Sequence, residues 1–184
     1  MGKINYLALL RAINVGGKNT IKMDVLKNIF EKMQFSNVKT YIQTGNVLFA
    51  DNEKDKKKLA EKIEKTLFEE TKNEIMVLIL TFADIADILS DVPKEFGANN
   101  EKYKYDVLFL IDPIKPKDII KEIKIIKGED KIYEGKKALY VKRLAEKLTG
   151  SYIVKALNIS QKITVRNYKI TKELFKLMLE RNEE

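Results

Sequence analysis

The stretch Arg11-Ala12-Ile13-Asn14-Val15-Gly16-Gly17-Lys18-Asn19 gathers a guanidinium, two amides, a glycine pair and an ammonium within a few residues. Such a set can hold an anion, because glycines let the backbone approach a ligand and the cations supply countercharge. It is neither a phosphate loop, which needs two glycines four residues apart and then Lys-Ser/Thr, nor GxGxxG. A tight structural turn and an anion-holding corner both satisfy it. TVRNYKIT, residues 164–171, is a second polar cluster. Its Arg166, Asn167, Tyr168 and Lys169 suit nucleotide or nucleic-acid contact by stacking and hydrogen bonding. They equally suit a strand or turn whose arginine caps a helix and whose tyrosine packs on the core.

The chain has no cysteine and no histidine. That excludes a disulfide framework, a thiolate nucleophile, cysteine or histidine zinc ligands and the usual general base. Carboxylate, lysine, tyrosine or hydroxyl chemistry is left, or plain binding. No spacing argues for a metal or cofactor. Most acids sit on helix faces beside lysines, where i, i+4 pairing accounts for them. The formal charge is +8, unevenly spread: residues 135–176 carry eleven Lys and Arg against Glu146 and Glu173 alone. A basic surplus in one region fits an anionic partner, nucleic acid included, or a solvated lysine-rich face. Only four of the 35 basic residues are Arg: Arg11, Arg143, Arg166 and Arg181. Where a lysine-rich chain uses Arg, bidentate contact with an anion or a buried ion pair explains the choice.

The elements that must position these groups follow from periodicity. Residues 4–10, INYLALL, read as a buried strand, and Leu26, Ile29, Phe30 and Met33 mark one face of a helix. Thr20 is its expected N-cap, with Asp24 in the first turn. Residues 38–50 read as a hairpin with Gly45-Asn46 as a two-residue turn, pairing Thr44 with Val47 and Ile42 with Phe49. A helix over 55–71, a strand over 74–80 and a helix over 81–89 come next. A strand over 105–111, a helix over 116–126 and a hairpin across Gly135 repeat the order. LAEKL and SYIVKAL read as helical, and 171–179 as a terminal amphipathic helix. The order predicts an α+β fold of two ferredoxin-like βαββ(αβ) halves packed into one compact unit with extra C-terminal helices, residues 1–80 and 81–184. With 45% apolar and 34% charged residues and no membrane-length apolar run, a cytoplasmic protein without membrane contact is expected.

The segment LLRAINVGGKNTIKM through TYIQTGNVLF closely resembles the opening of a bacterial family, domain of unknown function 1697. Its members read ALLRGINVGG, then K-M, then TYIQSGNV. TVRNYKIT resembles the same family's T-x-RNW-x-T. This chain departs at Ala12 for Gly, Thr44 for Ser and Tyr168 for Trp. The resemblance implies the ferredoxin-like halves and no established activity. By position, Arg11, Asn14, Gly16, Gly17, Lys22, Gln43, Gly45, Asn46, Arg166 and Asn167 match its characteristic residues. The expected site joins these with Lys18, Tyr168 and Lys169 in one cleft between the halves, for a phosphate-bearing small molecule or nucleic acid. Two other readings stay open: an enzyme on a small anionic substrate, with Tyr168, Lys22 or Lys169 as base, or a polar cluster that is purely structural.

Overall fold

The structure is a computed structural model and describes residues 2–14, 19–111, 113–121, 130–145 and 163–183. The chain divides into two compact units, Met1–Ile85 with Leu174–Glu184, and Ala86–Glu173.

In the first unit the order is β1 (Ile4–Leu10), α1 (Met23–Lys32), β2 (Ser36–Tyr41), β3 (Asn46–Asp51), α2 (Lys56–Thr71), β4 (Val77–Thr81) and α3 (Phe82–Ser90, whose residues up to Ile85 belong here). The strands form one antiparallel sheet in the order β2-β3-β1-β4, the ferredoxin-like arrangement. Alternation puts Tyr6, Ala8 and Leu10 of β1 with Val47, Phe49, Val77 and Ile79 on one face. There they meet Leu26, Ile29 and Phe30 of α1 and Leu59, Ile63 and Leu67 of α2. Burying each such side chain contributes roughly 1.5–3 kcal/mol. Asp55 caps α2, accepting from the Lys57 and Lys58 amides. Leu7, Leu9 and Leu48 point to the opposite face and are fully buried as well. Asn5 lies on that second face and donates to the Arg181 carbonyl, which brings the last turn of the C-terminal helix α5 (Tyr168–Glu183) against it. Phe175 of α5 stacks on Phe82 with centroids 5.2 Å apart.

Two local expectations fail here. α1 starts at Met23 behind Lys22, which makes no side-chain cap, so Thr20 is not the cap, although Asp24 does occupy the first turn. The β2–β3 connection is a four-residue turn over Ile42–Gly45, with Tyr41 paired to Asn46 and Thr40 to Val47. Ile42 takes a left-handed φ of 48° and Gly45 one of 73°. Buried Asn46 closes the turn by donating to the Tyr41 carbonyl and Thr44 Oγ1, both at 3.0 Å. The register moves by an even number, so Val47 and Phe49 keep the core face.

The second unit repeats the arrangement with β5 (Tyr103–Leu110), α4 (Pro116–Ile120), β6 (Lys131–Glu134), β7 (Ala138–Leu144) and β8 (Ile163–Asn167), in sheet order β6-β7-β5-β8. Leu108, Leu139, Val141 and Ile163 pack with Ile119 of α4 on one face. The expected hairpin across Gly135 is present, closed by the Gly135 amide on the Ala138 carbonyl. Leu144 ends β7 and Ala145 bends away from it, so LAEKL does not start as a helix; residues 146–148 and all of SYIVKAL lie outside the described residues. The same holds for residues 122–126 of the expected 116–126 helix.

Candidate functional site

Three connections meet at the carboxyl end of β1. The Leu10 amide donates to the Gly45 carbonyl at 2.8 Å and the Arg11 amide to the Met76 carbonyl at 2.9 Å. Asn14 ties the loop together: its Nδ2 donates to the Ile21 and Gln43 carbonyls, both at 2.9 Å, and its Oδ1 accepts from the Ile21 amide at 2.8 Å. The backbone turns left-handed at Ala12 (φ 52°), Asn14 (φ 56°) and Asn19 (φ 48°). Asparagine tolerates that conformation, whereas an alanine pays for it with its Cβ, so glycine at position 12 in the family's pattern is the relaxed choice. Gly45 has no substitute here, because a Cβ would sit 2.8 Å from both Ile13 Cγ1 and Leu10 Cβ.

Asn14, Gly45 and Asn46 therefore act as braces, their polar atoms turned to the protein's own backbone. Gln43 is exposed and offers its carbonyl to Asn14. Arg11 is half-buried at the strand end, and Lys22 is exposed at the start of α1. Gly16, Gly17 and Lys18 lie outside the described residues.

Arg166, Asn167, Tyr168 and Lys169 belong to the second unit, while Arg11, Asn14, Lys22, Gln43 and Asn46 belong to the first. Arg166 lies in β8 opposite Val107 and is only 5% exposed. Its Nη1 donates to Thr164 Oγ1 at 3.0 Å and to the Val165 carbonyl at 2.8 Å. Burial lowers its pKa to about 10, so it remains charged at neutral pH. Asn167 Oδ1 accepts from the Lys169 amide and so caps α5. Tyr168 packs edge-on against Phe96, 5.2 Å between centroids, beneath Lys172 Nζ and against Gly97, where a Cβ would meet its ring at 2.9 Å. Lys169 is exposed.

Phe96 centres an aromatic group in this unit, touching Tyr105, Tyr133 and Tyr140 as well. Tyr105 and Tyr140 are buried, so their faces are not open to a base. Burial, with Asp91 nearby, pushes the Tyr140 hydroxyl well above the usual range, and it donates to the Ile88 carbonyl. Three of the eleven cations of the basic segment pair with acids from earlier in the chain. Lys136 pairs with Asp91 at 3.6 Å, Lys137 with Asp87 at 2.9 Å, and Arg143 with buried Asp106 at 2.7 Å. Among the described residues no cluster of three or more acids could hold a metal ion, and no helix is long and apolar enough to cross a membrane.

Sequence reasoning passed over one feature, a basic cavity at the other end of β1 that Lys3, Lys39 and Arg181 help to line. Only the scarcity of arginine pointed toward any part of it. A conserved bacterial protein from Streptococcus pneumoniae, SP0830, has a similar structure, with a TM-score of 0.79 over 96% of this chain and 99% of that one at 23% identity. That likeness concerns the fold. Curated proteins give no match. Residues 4–140 match the family described as protein of unknown function (DUF1697), a span that includes Arg11, Gln43 and Asn46 and stops short of Arg166. This chain belongs to that family.

Proposed function

We propose that the protein binds a small phosphate-bearing ligand at the corner formed by the carboxyl end of β1, with Arg11 and Lys22 supplying charge and Gln43 an amide. One observation carries this reading. Asn14 commits its whole amide to fixing the chain on either side of the β1–α1 loop to the β2–β3 turn, and Ala12, next to Arg11, holds a left-handed backbone that its Cβ disfavours. Strain of this kind persists where surrounding structure over-determines it, and such places cluster at ligand sites. Residues pinned in the way that Asn14, Ile21 and Gln43 are pinned also lose little entropy on binding.

Binding is favoured over catalysis because the groups that would serve as base are poorly placed for it. Lys22 and Lys169 are exposed, and Tyr168 is committed to packing against Phe96. A nucleic-acid role for the 135–176 segment draws less support, since three of its eleven cations, Lys136, Lys137 and Arg143, already face Asp91, Asp87 and Asp106.

Thermal-shift screening against nucleotides, phosphoesters and inorganic phosphate tests the proposal on wild type and an Arg11→Ala/Lys22→Ala variant. A ligand at 100 times its dissociation constant adds about 2.7 kcal/mol to stability, a shift of several degrees. The shift is expected in wild type and lost in the variant. Equal shifts in both proteins, or none in wild type, would overturn it.

A further inference from the structure

We infer that the first unit holds a second, separate anion site, a pocket for a phosphorylated sugar at the amino end of β1. A cavity of about 640 Å³ opens there, lined by Lys3, Asn5, Asn37, Lys39, Ala50 and Arg181. That volume lies in the range of small-molecule sites. Three cations line it, and no carboxylate is among its described lining residues.

The pocket is built rather than incidental. Its floor is the cross-strand pair Asn5 and Ala50, on the sheet face opposite Tyr6 and Phe49. Ala50 contributes a methyl where Leu48, two residues before it on the same face, contributes a full side chain, and that difference leaves room. The wall is β2, whose register shifts between Ser36 and Lys39, and where Asn37 takes a left-handed φ of 52°. This irregular strand presents the Asn37 carbonyl to Arg181 Nη2 at 2.6 Å. Asn5 Nδ2 fastens the same helical turn by donating to the Arg181 carbonyl at 2.9 Å and Asn182 Oδ1 at 3.3 Å. Lys3 Nζ is steadied by Ser36 Oγ at 2.8 Å. A bulge and a left-handed asparagine are the features that re-aim a side chain beside a functional site.

The lining decides the ligand's chemistry. Arg181, held by the Asn37 carbonyl, brings a fixed positive charge, and Lys3 and Lys39 bring mobile ammonium groups that can close on a phosphate. No aromatic ring is among the described lining residues to stack a base, which favours a sugar over a nucleotide. With both amide hydrogens committed, Asn5 has its carbonyl oxygen left to accept from a ligand hydroxyl. The three cations also balance the negative end of α5, a structural duty that a test must separate from binding.

β1 runs from Ile4 to Leu10, so at about 3.3 Å per residue the two ends of the strand lie on the order of 20 Å apart. The sites are distinguishable. Isothermal titration with fructose 1,6-bisphosphate, glucose 6-phosphate, inorganic phosphate and AMP is run on wild type, Lys3→Gln/Lys39→Gln and Arg11→Ala. Lys3 and Lys39 are exposed, so the double variant should melt within a degree or two of wild type. The bisphosphate is expected to bind wild type and Arg11→Ala alike, at least tenfold more weakly to the double variant, and more tightly than phosphate or AMP to wild type. Undiminished binding by the double variant, preference of Arg11→Ala for AMP over both sugar phosphates, or no binding of either sugar phosphate by wild type would overturn the inference. Loss of binding in Arg11→Ala alone would move the ligand to the corner and overturn it too.

Discussion

The two sheets have the same strand order, β2-β3-β1-β4 and β6-β7-β5-β8, yet they use the residues matching the family pattern in opposite ways. In the first unit those residues gather at strand ends. Asn14 and Asn46 satisfy backbone groups of loops, Gly45 lets two connections touch, and the charges of Arg11 and Lys22 stay at or near the surface. In the second unit the matching arginine is inside the sheet's own face, nearly shielded from water and bonded to its neighbours Thr164 and Val165. Repeating a topology repeats the placement of strands but not the placement of chemistry, which side chains decide position by position.

That contrast can be broken at its strongest point, Arg166. Arg166→Ala removes the donor from Thr164 Oγ1 and the Val165 carbonyl and leaves a hole, a loss of about 3 kcal/mol. Arg166→Met fills the volume and dispenses with the buried charge, so it should lose less than half as much. Urea denaturation measures both. If alanine costs under about 1 kcal/mol, Arg166 is not structural and the two units are more alike than their burial implies.

Next in size is Gly45→Ala, which tests the bracing of the first unit. The new methyl would have to push aside Ile13 and Leu10 at a left-handed φ of 73°, at a cost of roughly 2 kcal/mol. A melting point unchanged within 1–2 °C would show that the corner is softer than described.

The smallest effect sharpens the comparison by probing a half-buried charge in the first unit. Burial raises the Glu64 pKa above its ordinary 4.5, against the opposing hydrogen bond from the Val77 amide and with Glu61 adding to the rise. A carboxyl raised on folding costs stability when ionised; the cost is complete above the folded pKa and vanishes below 4.5. Glu64→Gln keeps an acceptor for Val77 and should melt slightly higher than wild type at pH 7, with the difference gone at about pH 3.5. A variant less stable at pH 7 would mean that the ionised carboxylate is favoured there. Asp84 shows the reverse sign. Burial alone would raise it, but hydrogen bonds from Lys56 and Thr81 outweigh that and hold it below its ordinary value.

Most elements were legible because their periodicity is strong. Leu26, Ile29 and Phe30 marked α1, and Leu59, Ile63 and Leu67 marked α2, at spacings only a helix satisfies. The β2–β3 turn was misread because Gly45-Asn46 carries a two-residue turn signal, while the residue that reverses the chain is Ile42, a β-branched side chain in a conformation its type disfavours. Only the buried role of Asn46 explains why the turn is longer. Thr20 looked like a cap, but the Asn14 bonds to Ile21 fix the chain past it, so α1 begins three residues later. Of the candidate site, the residue types were legible and their orientation was not. The basic segment hid three of its ion pairs because the partners of Lys136, Lys137 and Arg143 lie 37 to 50 residues upstream. The Lys3–Lys39–Arg181 pocket draws on both ends of the chain and has no local signature.

The irregularity in β2 has a consequence for the protein in a crowded solution. β2 is the outer strand of its sheet, and a straight outer strand offers unpaired N–H and C=O groups to any other chain. Here the register breaks between Ser36 and Lys39, Asn37 turns left-handed, and its carbonyl is taken by Arg181. An incoming strand would meet a kinked edge, an occupied acceptor and the exposed ammonium of Lys39. The same distortion that shapes a pocket also makes this edge a poor template for aggregation.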